Sequence, residues 1–188
     1  MRNLIRSFDG LLRHAHGVYE FSHNPICLIR LRVTRARHNL NLPDGEVVAG
    51  KTVLEVHLWN ERIPPIPASG ADITWAVKMH RGLMASFRAV AGELQRDPRL
   101  SVVQAVGGVT LLIHPEGHPA DEKLFRHLGF SIYPYRNPLG RFGEFWENFY
   151  TWGLMWTFNI ASLRQRQLLR ARRVEIWMSV SKFLMRYE

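Results

Sequence analysis

Apolar and polar residues alternate in two segments of the chain, residues 26–35 and residues 52–59. A period of two is typical of β-strands that bury one face and expose the other. Turn-forming residues at 41–45 lie between these segments and predict that the two strands pair as a hairpin. The polar face of this hairpin carries Arg30, Arg32, Glu55 and His57.

The rest of the chain predicts helices and further strands. Residues 72–96 carry an apolar stripe at helical spacing, and Asp97-Pro98 ends that helix. Residues 1–21 have the spacing of an N-terminal amphipathic helix, and residues 140–172 that of a long helix that is first aromatic and then arginine-rich. Shorter strands are predicted at 100–113, 130–133 and 174–178, and shorter helices at 119–128 and 181–186.

This order of elements predicts a single α+β domain over residues 1–188, with helices packed on a mixed or antiparallel sheet of about five strands. A length of 188 residues and a hydrophobic share of 46% suit one such core. The single cysteine, Cys27, excludes a disulfide framework. The first 21 residues carry charges throughout and have no apolar export signal, so we expect a cytoplasmic protein.

Basic residues are concentrated at the two ends of the chain. The net charge is +9, and residues 1–40 and 161–188 each contain seven basic and two acidic residues. Of the 25 basic residues 21 are arginine, whose planar guanidinium fits phosphate and carboxylate groups. This balance suits an anionic partner, although an arginine-rich composition explains it equally well. Nucleic acid is the least favoured anion, because no helix-turn-helix, RRM or OB-fold signature is found.

Residues 142–160 are unusually aromatic, and five arginines follow between residues 164 and 173. Apolar side chains cover nearly the whole circumference of the predicted helix, which therefore needs an apolar environment. Three environments remain open: the protein core, a membrane interface and a homodimer interface. The candidates for contact with a membrane or another polyanion are Trp152, Trp156, Arg164, Arg166, Arg170, Arg172 and Arg173.

We expect neither a metal ion nor a cofactor. The closest histidine pair, His114 and His118, is separated by a proline and a glycine. These predict a loop, whereas two imidazoles four residues apart bind one metal ion when they lie on a helix. The sequence also lacks a phosphate-binding glycine loop, a dinucleotide fingerprint and a Gly-x-Ser-x-Gly motif.

The polar face of the hairpin is the candidate functional site. Directly opposed positions on paired strands lie about 5 Å apart, so the arginines of the first strand would lie beside the polar residues of the second. The candidates for ligand binding are Arg30, Arg32, Glu55, His57 and Asn60. For catalysis, His57 offers a titratable imidazole and Glu61 a carboxylate to orient it. The alternative is a solvated ladder of cross-strand ion pairs with little effect on stability.

Several segments, taken in their order, are similar to the YkoP-like domain. They are Ile29–Val33, Asp44-Gly45, Leu54–Glu61, Leu83–Ala91 before Asp97-Pro98, and Glu175–Ser179 with Leu184 and Tyr187. Together they span most of the chain from about residue 25. That family occurs in bacteria, alone or fused to polysaccharide deacetylases, which implies by association a role in cell-envelope glycan or glycolipid metabolism.

The polar face and the resemblance together lead us to expect an accessory module that binds an anionic, glycan or glycolipid ligand in bacterial cell-envelope metabolism. One alternative is an enzyme that acts on a sugar- or lipid-linked substrate through His57 and Glu61. Another is a peripheral protein that binds anionic lipid at the inner face of the membrane. A homodimer also remains open.

Overall fold

The central element of the protein is a mixed β-sheet, seen in a computed structural model that describes residues 15–67, 69–70, 72–111, 119–158 and 173–188. The strands are β1 (Ile29–Arg35), β2 (Leu40–Leu42), β3 (Gly45–Val47), β4 (Thr52–Leu58), β5 (Ala105–Leu111), β6 (Ser131–Pro134) and β7 (Arg173–Ser179). The helices are α1 (Ile73–Arg96), α2 (Pro119–His127), α3 (Gly140–Phe158) and α4 (Val180–Tyr187). Two 3-10 turns occupy Asn60–Arg62 and Pro98–Leu100.

Five strands form the main sheet, in the order β1-β4-β5-β7-β6. β4 and β5 are parallel, and the other neighbouring pairs are antiparallel. The prediction of an α+β fold on a mixed sheet of about five strands is confirmed. The short strands β2 and β3 form a separate two-stranded sheet that was not predicted. Each has three residues, which is too short for an alternating pattern to be recognised.

The predicted pairing of the two alternating segments is also confirmed. β1 and β4 run antiparallel, with Arg30 opposite His57 and Arg32 opposite Glu55. Because side chains alternate along each strand, these four residues share one face of the sheet. Ile29, Leu31 and Leu54 point to the other face, where they are buried.

The apolar face of the sheet carries the main hydrophobic core. α1 and α4 pack on this face, and the Phe87 ring of α1 lies 5.8 Å from Phe183 and 4.8 Å from Tyr187 of α4, measured between ring centroids. The helix α1 begins where Asp72 accepts a hydrogen bond from the Trp75 backbone N–H, and it ends before Asp97. Its predicted extent, residues 72–96, agrees with these capping residues.

The second face of the sheet is divided into an apolar part and a polar part. The small β2–β3 sheet covers the apolar part, where Val53, Ala105 and Trp177 are buried. The polar part lies under α3. Between β5 and β7 the backbones approach closely, since a Cβ added at Gly107 would lie 1.9 Å from the Ile176 carbonyl oxygen. Glycine is therefore required at this position.

One predicted helix differs from the structure, and a second is described only in part. The N-terminal helix does not reach residue 21, because Tyr19 forms an antiparallel bridge to Leu31 and extends the edge of β1. Residues 1–14 lie outside the described residues. The helix predicted at 140–172 is described only as far as Phe158, and residues 159–172 lie outside as well. No helix in the described ranges combines the length and hydropathy needed to cross a membrane.

Candidate ligand-binding cleft

A cleft of about 350 Å³ lies between the polar part of the sheet and α3. The sheet and the segments beside it supply one wall, and α3 supplies the other with Glu147, Tyr150 and Leu154. The remaining lining residues are His16, Val18, Arg30, Arg32, Arg37, Glu55, His57, Leu58, Asn60, Val109 and Tyr135. All five residues that the sequence offered for ligand binding therefore line one cavity.

Arg30 has a structural role in one wall of this cleft. Its buried guanidinium donates hydrogen bonds to the carboxylates of Glu20 at 3.0 Å and Glu61 at 3.1 Å. Its Cζ also lies 4.2 Å from the centre of the Trp59 ring, a cation–π contact. With both carboxylates and the ring in contact, Arg30 has little capacity left to bind an anion.

Glu61 is therefore not the carboxylate that orients His57. It pairs with Arg30 and does not line the cleft. The carboxylate beside the imidazole is that of Glu55, whose Oε2 lies 3.5 Å from His57 Nε2. The two residues are separated by two positions on β4, which places them on the same face of the strand.

Glu55 is a buried carboxylate surrounded by cationic groups. Arg32 Nη1 lies 3.4 Å from its Oε2. Burial raises the pKa of Glu55, but His57 and the guanidinium groups of Arg32 and Arg37 outweigh that effect and bring the pKa below its ordinary value. Glu55 is consequently ionised at neutral pH and attracts hydrogen-bond donors into the cleft.

The α3 wall is anchored by a polar network. Tyr135 donates a hydrogen bond of 2.6 Å to Glu147 Oε1, and burial followed by the nearby Glu147 carboxylate raises the pKa of Tyr135. Arg173 of β7 donates hydrogen bonds to Asn148 and, at 2.9 Å, to Thr151. Burial lowers the pKa of Arg173, although neighbouring Glu147 opposes the shift. This network holds the polar side of α3 against the sheet.

Two polar atoms of the cleft are buried without a hydrogen-bond partner. Among the buried side-chain nitrogens and oxygens of the described residues, these are His57 Nε2 and Glu147 Oε2. The 3.5 Å contact from His57 Nε2 to Glu55 is an ion-pair contact without hydrogen-bond geometry, and Arg173 Nε lies 3.7 Å from Glu147 Oε2. Buried polar atoms are almost always hydrogen-bonded to protein, water or ligand. A ligand in the cleft would supply partners for both atoms.

A second buried carboxylate, Glu175, extends the polar face across β7. Its Oε2 accepts hydrogen bonds from His38 Nε2 at 3.1 Å and from the Trp177 indole at 2.8 Å. Glu55 and Glu175 border the same small cavity next to the cleft, together with Arg37. The alternating pattern of residues 174–178 places Glu175 and Trp177 on one face of the predicted strand. This pattern could have identified Glu175 as a further polar residue of the sheet.

The residues predicted to contact a membrane or another polyanion lie in different environments. Trp152 is exposed on α3, and Trp156 is half-buried beside it with the two rings stacked at 6.5 Å. Arg173 is half-buried, and its guanidinium is engaged by Asn148 and Thr151 in the network of α3, so little of its side chain is accessible to a membrane or polyanion. The remaining candidates, Arg164, Arg166, Arg170 and Arg172, lie outside the described residues.

The structure shows no metal centre in the residues that it describes. No three His, Cys, Asp or Glu side chains in those ranges are grouped so that they could hold a metal ion. The His114 and His118 pair lies outside these ranges.

Comparison with protein families identifies the family to which the chain belongs. A family model described as the YkoP domain matches residues 1–187. The chain belongs to the YkoP domain family. The match covers the N-terminal residues and α3, neither of which was among the similar segments found by sequence reading. No curated protein and no solved structure matches this YkoP domain.

Proposed function

We propose that this YkoP domain is an accessory module that binds a glycan or glycolipid ligand with an anionic group in bacterial cell-envelope metabolism. The observation that carries the proposal is the pair of buried atoms without hydrogen-bond partners, His57 Nε2 and Glu147 Oε2, in one cavity. A carboxylate oxygen needs a donor, whereas an imidazole nitrogen needs a donor or an acceptor according to its tautomer. A sugar hydroxyl supplies either role.

The other lining residues support the same class of ligand. Arg32 and Arg37 provide cationic groups for a phosphate or carboxylate, because Arg30 is already engaged by two glutamates. Tyr135 and Tyr150 provide aromatic rings for the apolar face of a sugar ring. The resemblance to the YkoP-like domain implies an association with polysaccharide deacetylases, which agrees with a glycan ligand.

The proposal is tested by calorimetric titration with N-acetylglucosamine 1-phosphate and with uncharged N-acetylglucosamine. We expect the phosphorylated sugar to bind at least about tenfold more tightly, and Arg32→Met to remove most of that difference, because hydrogen bonds between charged groups are worth more than neutral ones. Arg126→Met is the matched control, since Arg126 is exposed on α2, away from the cleft. Equal affinities for the two sugars, or an equal loss in both variants, would contradict the proposal.

A second candidate function is an enzyme that acts on a sugar- or lipid-linked substrate. The sequence offered His57 with Glu61, but Glu61 pairs with Arg30, so Glu55 is the carboxylate available to His57. A histidine beside a buried, ionised carboxylate suits a general base. Incubation of excess sugar phosphate with the protein, followed by NMR, separates the two functions, because an enzyme would form product and a binding module would return the ligand unchanged.

We propose a cytoplasmic location at the inner face of the membrane. The buried free thiol of Cys27 agrees with a reducing compartment. Peripheral association with the membrane agrees with the exposed aromatic residues of α3, among them Trp146 and Trp152.

A further inference from the structure

The helix α3 has the reverse of the usual amphipathic arrangement. A surface helix normally turns its apolar stripe to the core and its polar residues to water. In α3 the polar Glu147, Asn148 and Thr151 face the protein, where they contact Tyr135 and Arg173. Of the three environments left open for this segment, the protein core does not cover its most exposed aromatic side chains.

The outward side of α3 forms an aromatic ridge, defined here as Phe142, Phe145, Trp146, Phe149 and Trp152. Their exposed fractions run from 41% to 67%. Neighbouring rings along the ridge contact one another, with centroid distances from 5.7 to 6.4 Å. Successive turns of one helix align these rings into a preformed apolar strip about 15 Å long.

Three observations favour an anionic lipid surface as the partner of the ridge. Tryptophan and phenylalanine on one side of a helix are typical of segments that lie in the membrane interface. The net charge of +9 attracts the chain to an anionic surface and makes two copies of the chain repel each other. Arg136 and Arg141 are exposed and precede the ridge in the sequence, and they outnumber the one exposed acidic residue within its range, Glu144.

We propose that the aromatic ridge of α3 docks on the surface of an anionic phospholipid bilayer. The ridge enters the interface, and the opposite side of α3 continues to form one wall of the cleft through Glu147, Tyr150 and Leu154. This inference deepens the proposed location at the inner face of the membrane, and it is independent of the proposed ligand-binding function. It rests on the outward side of α3, whereas the ligand site rests on the inward side, so either can fail without the other.

The test is co-sedimentation with vesicles of phosphatidylcholine alone and of phosphatidylcholine mixed with phosphatidylglycerol. We expect binding to the mixed vesicles that weakens with added salt, because surface attraction is screened. The double variant Trp146→Gln with Phe149→Gln should bind at least about tenfold more weakly, since it removes two large apolar groups from the interface. Met185→Gln is the control, because Met185 is an exposed apolar residue on α4 outside the ridge.

Three outcomes would overturn the proposal: no binding to mixed vesicles, equal binding to both kinds of vesicle, and equal binding by the wild type and the double variant. Light scattering after size exclusion tests a second copy as the occupant, and a dimer that the double variant dissociates would also overturn it. Fluorescence quenching by brominated lipid gives an independent readout on the wild type, for which we expect quenching of ridge tryptophans. Absence of quenching would contradict docking even if the variant misfolds.

Discussion

Replacing Arg30 with methionine tests whether this arginine stabilises the fold, in contrast to Arg32, which is available to a ligand. The Arg30 side chain is 5% exposed, and it pairs with Glu20 and Glu61. Breaking a fully buried ion pair costs about 3–5 kcal/mol. These two carboxylates are 50% and 33% exposed, so water can solvate them after the change. We therefore expect Arg30→Met to lower the free energy of unfolding by about 2–3 kcal/mol.

The same change at Arg32 should have a small effect on stability. Arg32 is 28% exposed and makes one contact of 3.4 Å, to Glu55. Glu55 is buried but keeps His57 and Arg37 beside it after the change, so we expect the loss to be less than about 1 kcal/mol. Arg32→Met should instead weaken binding of the anionic sugar, as described above.

Urea denaturation of both variants and of the Arg126→Met control measures the difference. The slope of the free energy against urea should stay unchanged, so that the midpoints report stability directly. The reasoning is refuted if Arg30→Met is as stable as the wild type, or if Arg32→Met loses as much stability as Arg30→Met.

Three further predictions concern packing, hydrogen bonding and pH. Gly107→Ala should lower the free energy of unfolding in urea by at least about 3 kcal/mol, because its Cβ would meet a backbone oxygen at 1.9 Å. The control is Gly92→Ala within α1, which should be neutral or stabilising. Similar effects of the two changes would be inconsistent with this packing. Ser86→Ala should cost about 1–3 kcal/mol in the same assay, because it leaves the buried Leu28 N–H without its 2.7 Å acceptor, and an unchanged midpoint would refute this role. The folded-state pKa of Glu55 is depressed, so its stabilising contribution is present at neutral pH and is lost as the pH falls through that pKa. Below about pH 4 the Glu55→Gln variant should therefore lose stability less steeply than the wild type in thermal unfolding, and parallel curves would argue against an ionised Glu55.

The strands of the polar face could be predicted because their side chains alternate over whole segments. Arg30, Arg32, Glu55 and His57 lie where the period of two places them, and the cross-strand register follows from it. Alternation assigns a residue to a face but does not determine its partners on that face. From the sequence alone, Arg30 and Arg32 were equivalent candidates for ligand binding. In the structure two glutamates from other segments, Glu20 and Glu61, pair with Arg30.

The second wall of the cleft could not be predicted from local patterns. Glu147, Tyr150 and Leu154 reach the cleft only because α3, which is far from β4 in the sequence, lies across the sheet. The aromatic residues of α3 indicated a need for an apolar environment. Because they are so numerous, the polar side of the helix that faces the protein could not be recognised from the sequence. A pattern of helical spacing identifies the stripe on a helix and cannot show whether that stripe points inward.

The most direct test of the ligand-binding cleft is ring-nitrogen NMR of His57 during titration with N-acetylglucosamine 1-phosphate. The His57→Gln variant assigns its signals among the nine histidines. We predict that the His57 resonances shift and saturate as the ligand binds, and that Glu147→Gln on the opposite wall weakens the binding while the histidines outside the cleft keep their shifts. His57 resonances that stay unchanged, while the sugar phosphate either does not bind or perturbs histidines elsewhere, would contradict the assignment of this cleft as the ligand site.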